Sequence, residues 1–181
     1  DGVVVAAWRQ DAEAFNEEYC RYLQRKHRAG ADTPWVAGQI IMIARNDYTL
    51  EVFNGDIGLI MPDAESANGL AAYFPNADGF KKIAISRLPQ FDSAFAMTVH
   101  KSQGSEYREV WLLPPSGKIE QGGDDALSGL NNALLYTAIT RARERFVFWG
   151  NEEQWRLAVE TRKTRRTALG DILDAMFVPK A

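Results

Sequence analysis

The sequence predicts an α/β fold, in which helices flank a parallel sheet and a small antiparallel β-barrel is inserted. Residues 3–8 form a short apolar run rich in β-branched residues, and an amphipathic helical pattern follows directly, which is the repeating unit of α/β folds. Over about 46–89 this pattern gives way to short apolar runs joined by tight turns. The strand and helix patterns then resume. We therefore expect one α/β domain from 1–45 and 90–181, with the barrel at 46–89.

The elements before residue 90 follow from apolar spacing and turn residues. After the first strand, a helix is expected from Asp11 to about Arg28, and the apolar run 40–44 predicts a second strand. Asn54-Gly55 between two apolar runs is a strong hairpin signal. Two more strands of the barrel are predicted at 70–74 and 80–85, joined by a turn at 75–79.

After residue 90 the α/β pattern returns in eight steps. They are a strand at 94–99, a polar turn at 100–107, a strand at 110–113, a mobile Gly-, Ser- and Asp-rich loop at 116–129, a helix at 132–143, a strand at 146–149 and helices at about 151–160 and 165–177.

The amino-acid composition limits the classes of protein to which this chain can belong. The chain has 181 residues, of which 46% are hydrophobic and 25% charged, as in ordinary globular proteins. It contains no apolar run near the roughly 18 residues of a membrane span and no secretory leader, so we expect no membrane partner and a cytoplasmic protein. One cysteine and two histidines exclude an internal disulfide and predict no metal site. Because the chain begins at Asp1 rather than Met, we expect a piece of a longer or a processed protein.

Charge alone argues mildly against a nucleic-acid partner, since the net charge is -3. The distribution is uneven, because residues 141–166 hold eight basic and four acidic residues. A solvated helical face is the ordinary explanation of such a run. The charge pattern therefore does not predict DNA binding by itself.

Two polar segments stand out because each follows an apolar element. In 97–107 a strand runs into hydroxyl, imidazole, ammonium and amide groups and Gly104, which are groups that hold phosphates and sugars. An ordinary polar turn explains it equally well. In 135–143, Arg141 and Arg143 are expected near the end of a helix, where they either compensate the helix dipole or contact a transferring phosphoryl group. We expect both segments at the rim formed by the carboxyl ends of the strands.

Together the two segments carry a resemblance to a known family. Residues 98–106 resemble motif V of the superfamily 1 helicases, and residues 136–143 resemble their motif VI, in the same order. Residues 44–47, 53–58 and 86–89 and the tail from Thr161 to Leu169 resemble the RecD branch, the helicase subunits of exodeoxyribonuclease V that act in DNA recombination and double-strand break repair. The resemblance implies a C-terminal RecA-like motor domain, a parallel sheet of the P-loop-NTPase type with a small inserted barrel.

The resemblance also implies roles for single residues. Arg141 matches the arginine that reaches the γ-phosphate and is the implied catalytic residue; Gly104 and Glu106 match nucleotide-binding positions. Implied DNA-binding residues are Thr98, His100, Lys101 and, more weakly, Asn46 with Arg45. We expect Arg143 to be structural.

The absence of two sequence motifs limits the activity that this chain can have by itself. It contains no G-x-x-x-x-G-K-[ST] loop and no Asp-Glu pair after an apolar strand, so ATP with Mg²⁺ is expected to bind mainly on a first RecA-like domain elsewhere in the protein. The isolated chain is then expected to be inactive. Implied partners are single-stranded DNA, that N-terminal RecA-like domain, and RecB-like and RecC-like subunits.

Two alternatives stay open at this point. One is another superfamily 1 helicase, Pif1-like or relaxase-linked. The other is a non-enzymatic module with vestigial motor motifs that docks on DNA or protein, in which aromatic side chains of the barrel stack on bases. The aromatic candidates, most of which we expect in the core, are Phe53, Tyr73, Phe74 and Phe80.

Overall fold

The computed structural model describes residues 2–27, 35–66, 69–116 and 130–162. In chain order the described elements are β1 (Gly2–Ala6), α1 (Arg9–His27), β2 (Ile40–Ile43), β3 (Ile57–Pro62), β4 (Leu70–Asn76), β5 (Gly79–Ala84), a 3-10 turn (Ile85–Arg87), β6 (Phe91–Ser93), β7 (Ala96–Thr98), β8 (Tyr107–Leu113), α2 (Asn132–Ile139), β9 (Ala142–Phe148) and α3 (Glu152–Glu160). The strands form one parallel sheet and one antiparallel sheet. The predicted α/β fold is therefore confirmed.

The parallel sheet has the order β7-β1-β8-β9, with all neighbours parallel. Successive side chains of a strand point to opposite faces. Val3 and Val5 therefore join the core beneath α2 and α3, whereas Val4 and Ala6 face α1. Helices on both sides explain why β1 reads as an unbroken apolar run.

The antiparallel sheet has the order β5-β4-β3-β2-β6. Its core contains Ile41, Ile43 and Ile60, all fully buried, and the ring of Phe74. Gly58 lies over that ring, and a Cβ at this position would come within 2.6 Å of it. The sequence therefore needs glycine at 58 for packing.

Strands on both sides of the predicted insertion belong to this sheet. β2 and β6 pair with each other through Met42 and Asp92, although the apolar run 40–44 was assigned to the α/β domain from its sequence. β6 was not predicted. We propose that the antiparallel unit extends over 40–93 rather than 46–89.

Two local predictions differ from the structure, and two others lie outside the residues that it describes. Asn54-Gly55 does not join a two-stranded hairpin, because Val52 only bridges to Asp47 and β3 pairs with β2 and β4. The turn instead precedes β3. The helix predicted to reach Arg143 ends at Ile139. The loop predicted at 116–129 and the helix at 165–177 lie mostly or wholly outside the described residues.

The buried side chain of Asn16 joins the two sheets. Its amide nitrogen donates to the carbonyl oxygens of Ser93 (2.8 Å) and Ala96 (2.9 Å), and its oxygen accepts from the Ala96 amide at 2.7 Å. These bonds fix the chain where β6 of one sheet passes into β7 of the other. α1 therefore positions the strand that leads to the polar turn at 98–106.

Candidate functional site

The segment from Val99 to Glu106 crosses from the carboxyl end of β7 to the amino end of β8. Its middle is fixed by Ser102, which is fully buried and donates its hydroxyl to the Val99 carbonyl oxygen at 2.8 Å. The Ser102 amide donates to the Thr98 carbonyl oxygen, and the Ser105 amide donates to Ser102. Sequence reasoning missed Ser102 because its polarity suggested exposure. We name residues 99–106 the crossing segment.

Gly104 lies in the exposed part of the crossing segment. Its φ is +88°, a conformation that L side chains rarely adopt, and a Cβ placed there would meet no atom within 4 Å. The turn thus requires glycine for its backbone conformation. The open space beside Gly104 leaves its backbone accessible to a ligand.

Arg141 lies in the tight turn between α2 and β9. The side chain of Asn131 caps the start of α2 by accepting hydrogen bonds from the amides of Ala133 and Leu134. The helix ends two residues before Arg141. The Arg141 carbonyl oxygen accepts from the Tyr107 amide at 2.8 Å. Arg141 is therefore fixed at the amino ends of β8 and β9, not at the carboxyl-end rim that the sequence suggested.

Neutral acceptors hold the Arg141 guanidinium. Nη1 donates to the Ser105 carbonyl oxygen at 3.2 Å and Nη2 to the Thr140 hydroxyl at 3.4 Å. Nε is buried and has no hydrogen-bond partner among the described residues, and none of their carboxylates lies within 4.0 Å of the guanidinium. The positive charge is therefore not neutralised within the described part of the chain. The predicted motif V and motif VI segments meet at this contact.

Glu106 and Arg143 form an exposed ion pair next to Arg141. Arg143 Nε lies 3.0 Å from Glu106 Oε2, and the two side chains are 65% and 55% exposed. Arg143 was placed in a helix by the sequence but lies on β9. An exposed pair of this kind contributes about 0–1 kcal/mol, so it can open for a ligand at little cost.

The predicted DNA residues of the crossing segment lie at its other end. The Thr98 hydroxyl accepts from the Lys101 amide at 3.2 Å, and His100 is exposed. Lys101 Nζ lies 3.6 Å from Asp92 Oδ2 on β6, with both side chains about half exposed. Asp92 was missed because a lone carboxylate within a three-residue strand gives no sequence signal.

Asn46 lies apart from these residues, in the loop between β2 and β3. Its side-chain oxygen accepts from the Asn54 amide at 2.7 Å. Asn46 and Arg45 are both exposed. The structure therefore groups Thr98, His100 and Lys101 and leaves Asn46 on the antiparallel sheet.

A cavity of about 540 Å³ lies between α1 and strands β6 and β7. Its wall includes Thr98 and Lys101, together with Asp92 and the ion pair of Arg9 with Glu13. The hydrogen bond from Arg9 to Glu13 raises the pKa of Arg9. The predicted DNA residues thus border a concave surface of mixed charge.

Two classes of site have no counterpart in the described ranges. Those residues hold no group of three or more His, Cys, Asp or Glu side chains placed to bind a metal ion. Likewise, no helix that they form is both long and apolar enough to cross a bilayer.

Comparisons with known proteins identify the family of this chain. Residues 93–148 match the family model of the UvrD-like helicase C-terminal domain. The chain is 39% identical over 137 residues to RecBCD enzyme subunit RecD of Mycobacterium tuberculosis, covering 76% of this chain and 22% of the relative. It is 33% identical over 133 residues to ATP-dependent RecD2 DNA helicase of Deinococcus radiodurans, covering 73% and 17%. The chain thus spans about a fifth of the length of these curated relatives.

Solved structures share the fold at low sequence identity. The Pif1 helicase from Candida albicans superposes with a TM-score of 0.57 at 14% identity, over 97% of this chain and 49% of that one. Bacteroides Pif1 in complex with ADP-AlF3 and ssDNA gives a TM-score of 0.56 at 15% identity, over 97% and 45%. These structures show the fold alone; the family match and the RecD relatives show that the chain belongs to the RecD-like C-terminal domains of the superfamily 1 helicases.

Proposed function

We propose that this chain is the second motor domain of an ATP-dependent DNA helicase, and that it supplies an arginine to the ATP site and part of the single-stranded DNA track. One observation carries the proposal. The Arg141 guanidinium is oriented by the Ser105 carbonyl oxygen and the Thr140 hydroxyl, and no described carboxylate neutralises it. A cation held in this way suits an anionic ligand.

Arg141 would act on the charge of the transferring γ-phosphoryl group. Phosphoryl transfer is accelerated mainly by positioning and by electrostatic stabilisation, and an arginine finger contributes on the order of 10³–10⁵ in rate. The two neutral acceptors orient the guanidinium without lowering its charge, so no ion pair has to break before it meets a phosphate.

Gly104 and Glu106 would complete the nucleotide side of the site. Gly104 leaves open space beside its backbone, and Glu106 gains a free carboxylate when its exposed pair with Arg143 opens. We propose that Mg²⁺ is held by the first motor domain, since the described residues offer it no cluster of ligands. ATP is then shared between two domains.

Thr98, His100 and Lys101 would contact single-stranded DNA at the far end of the crossing segment. A hydroxyl, an imidazole and an ammonium group are typical contacts to phosphate and sugar. The Lys101–Asp92 pair at 3.6 Å is long and exposed, so a phosphate can replace Asp92 as the partner of Lys101. Asn46 is proposed as a further DNA contact on the antiparallel sheet.

The proposed partners follow from the RecD relatives. RecB-like and RecC-like subunits are proposed because several relatives are named as subunits of the RecBCD enzyme. The N-terminal RecA-like domain of the same protein is proposed as the second half of the ATP site. We propose a cytoplasmic location, because the curated relatives are named as DNA helicases or helicase subunits.

The test is Arg141→Ala in the full-length protein that contains this chain. We expect DNA-stimulated ATP hydrolysis to fall by about a thousandfold or more, while the Kd for single-stranded DNA stays within about threefold. Arg143→Ala is the matched control, because Arg143 is already paired with Glu106, and it should lower hydrolysis by less than tenfold. ATP hydrolysis by Arg141→Ala within a few-fold of wild type would rule out the proposed role.

A further inference from the structure

Two exposed aromatic rings lie side by side on the loop between β2 and β3. Tyr48 is 78% exposed and Phe53 is 44% exposed. Their ring centroids are 6.0 Å apart and the planes meet at 72°, an edge-to-face contact. Of the aromatic residues of this sheet, Phe74 is buried in the core. We name Tyr48 and Phe53 the aromatic pair.

The loop that carries the aromatic pair is held by its own hydrogen bonds. Asp47 Oδ1 accepts from the amides of Thr49 and Leu50, both at 2.9 Å, and Asp56 Oδ2 accepts from the Phe53 amide at 2.8 Å. Asp47 and Val52 also exchange two backbone hydrogen bonds. The two rings are thus held in place without being buried. Such preorganisation reduces the entropy that binding would otherwise lose.

The surroundings of the aromatic pair are polar. Arg45, Asn46 and Asn54 are exposed beside it. The nearby carboxylate of Glu51 is paired with Lys81 at 2.8 Å, and this contact lowers the pKa of Glu51. Two rings within a polar rim suit a flat, partly polar heterocycle such as a nucleobase better than the apolar core of a protein interface.

The path of the chain limits the distance between the aromatic pair and the proposed DNA contacts. Met42 of β2 pairs with Asp92 of β6, and Asp92 is the residue that Lys101 contacts. Tyr48 follows Met42 by six residues, which corresponds to at most about 20 Å of extended chain. A strand bound at Lys101 therefore needs only a few nucleotides to reach the aromatic pair.

We propose that an unpaired base of the DNA strand whose backbone lies at Lys101 binds in the corner formed by Tyr48 and Phe53, stacked on one ring with its edge against the other. This inference rests on the proposed DNA track and adds a base-contacting site to its backbone contacts. The stacking is independent of base identity, because every base offers a π-face. Arg45 and Asn46 then contact the sugar and phosphate beside that base.

The experiment measures binding of oligothymidylate to the full-length protein by fluorescence anisotropy at several salt concentrations. We expect Tyr48→Ala and Phe53→Ala each to raise the Kd about tenfold. The slope of log Kd against log salt should be unchanged, since no phosphate contact is lost. Tyr48→Phe keeps the ring and should bind within twofold of wild type. The matched control is Phe80→Ala, which removes a 75% exposed ring at the β4–β5 turn and should leave the Kd unchanged.

An oligonucleotide with abasic positions isolates the stacking. The wild-type protein should bind the abasic strand with a Kd about tenfold higher than that for the intact strand. The double variant Tyr48→Ala/Phe53→Ala should bind both strands with equal Kd. Equal Kd values of the wild type and the double variant for oligothymidylate would overturn the proposed aromatic site. The same result is expected if the rings contact another protein domain and not DNA. Failure of the wild-type protein to bind any single strand would instead overturn the proposed function.

Discussion

Replacing Asn16 by alanine should destabilise the joint between the two sheets. The change removes three hydrogen bonds, to the Ser93 and Ala96 carbonyl oxygens and from the Ala96 amide. Each buried backbone group left without a partner costs about 1–3 kcal/mol. Asn16 borders the 540 Å³ cavity, from which water can reach these groups, so the lower value applies to each. The free energy of unfolding should therefore fall by about 3 kcal/mol.

Urea denaturation of the 181-residue chain, followed by tryptophan fluorescence, measures this effect. With a slope of about 2 kcal/mol per molar urea, the midpoint should fall by about 1.5 M. Glu17→Ala on the same helix removes only the exposed pair with Arg21 and should change the stability by less than about 0.5 kcal/mol. A loss of less than about 1 kcal/mol for Asn16→Ala would refute the reasoning.

Asn16→Asp separates hydrogen bonding from shape. The introduced carboxylate still accepts from the Ala96 amide but cannot donate to the two carbonyl oxygens it faces. Burial and these oxygens favour its neutral form, so its pKa in the folded state should be raised. Its protonated form, which can donate, is populated as pH falls. This variant should therefore regain stability relative to wild type as pH falls through that raised pKa, and a stability difference independent of pH would contradict the assignment.

Two further predictions concern local backbone and charge. Gly104→Ala should lower the Tm measured by calorimetry by roughly 2–8 °C, because a φ of +88° costs an L residue about 1–2 kcal/mol. An unchanged Tm would show that the turn relaxes to a conformation that alanine can adopt. Ser66→Ala should raise the pKa of Asp63, because the hydrogen bond from the Ser66 hydroxyl is the largest single cause that lowers it. The contact with Lys82 lowers this pKa as well, and NMR titration follows the change. A lowered carboxylate pKa stabilises the fold above the ordinary value of 3.8, and this stabilisation is lost as pH falls through the folded pKa. The variant should therefore be less sensitive to acid, and an unchanged Asp63 pKa in Ser66→Ala would contradict the assignment.

The strands of the parallel sheet could be predicted because the sequence pattern and the environment agree. β1 and β8 both contain apolar runs. β1 contributes to the core on both faces of the sheet, whereas β8 is buried at Val110 and Leu112 and half-buried on its other face. The run 40–44 has the same character, yet β2 belongs to the antiparallel sheet. Its partners lie at Ile57 and Phe91, far along the chain, and apolar content does not specify which strand pairs with which.

The site residues could be located but not their arrangement. Arg141 and Ser105 are 36 residues apart in sequence, so only the folded sheet brings the guanidinium to that carbonyl oxygen. The helix pattern through 132–143 continued past the true end because Ala142 keeps the apolar spacing. The chain leaves the helix at Thr140 to enter β9, and that turn is what places Arg141 at the amino end of the sheet.

The crossing segment joins the two ends of the proposed site. Thr98 and Leu113 both lie opposite Ala6, and Tyr107 precedes Leu113 by six residues, so the segment spans about 20 Å of the sheet. Its ends hold exposed ion pairs, Lys101–Asp92 and Glu106–Arg143, each of which contributes about 0–1 kcal/mol and can exchange for a phosphate partner. Its middle is fixed by buried Ser102, whose hydrogen bonds cost more to break than either pair. Under the proposed function, ligands exchange at the two ends of the segment while its buried centre keeps its hydrogen bonds.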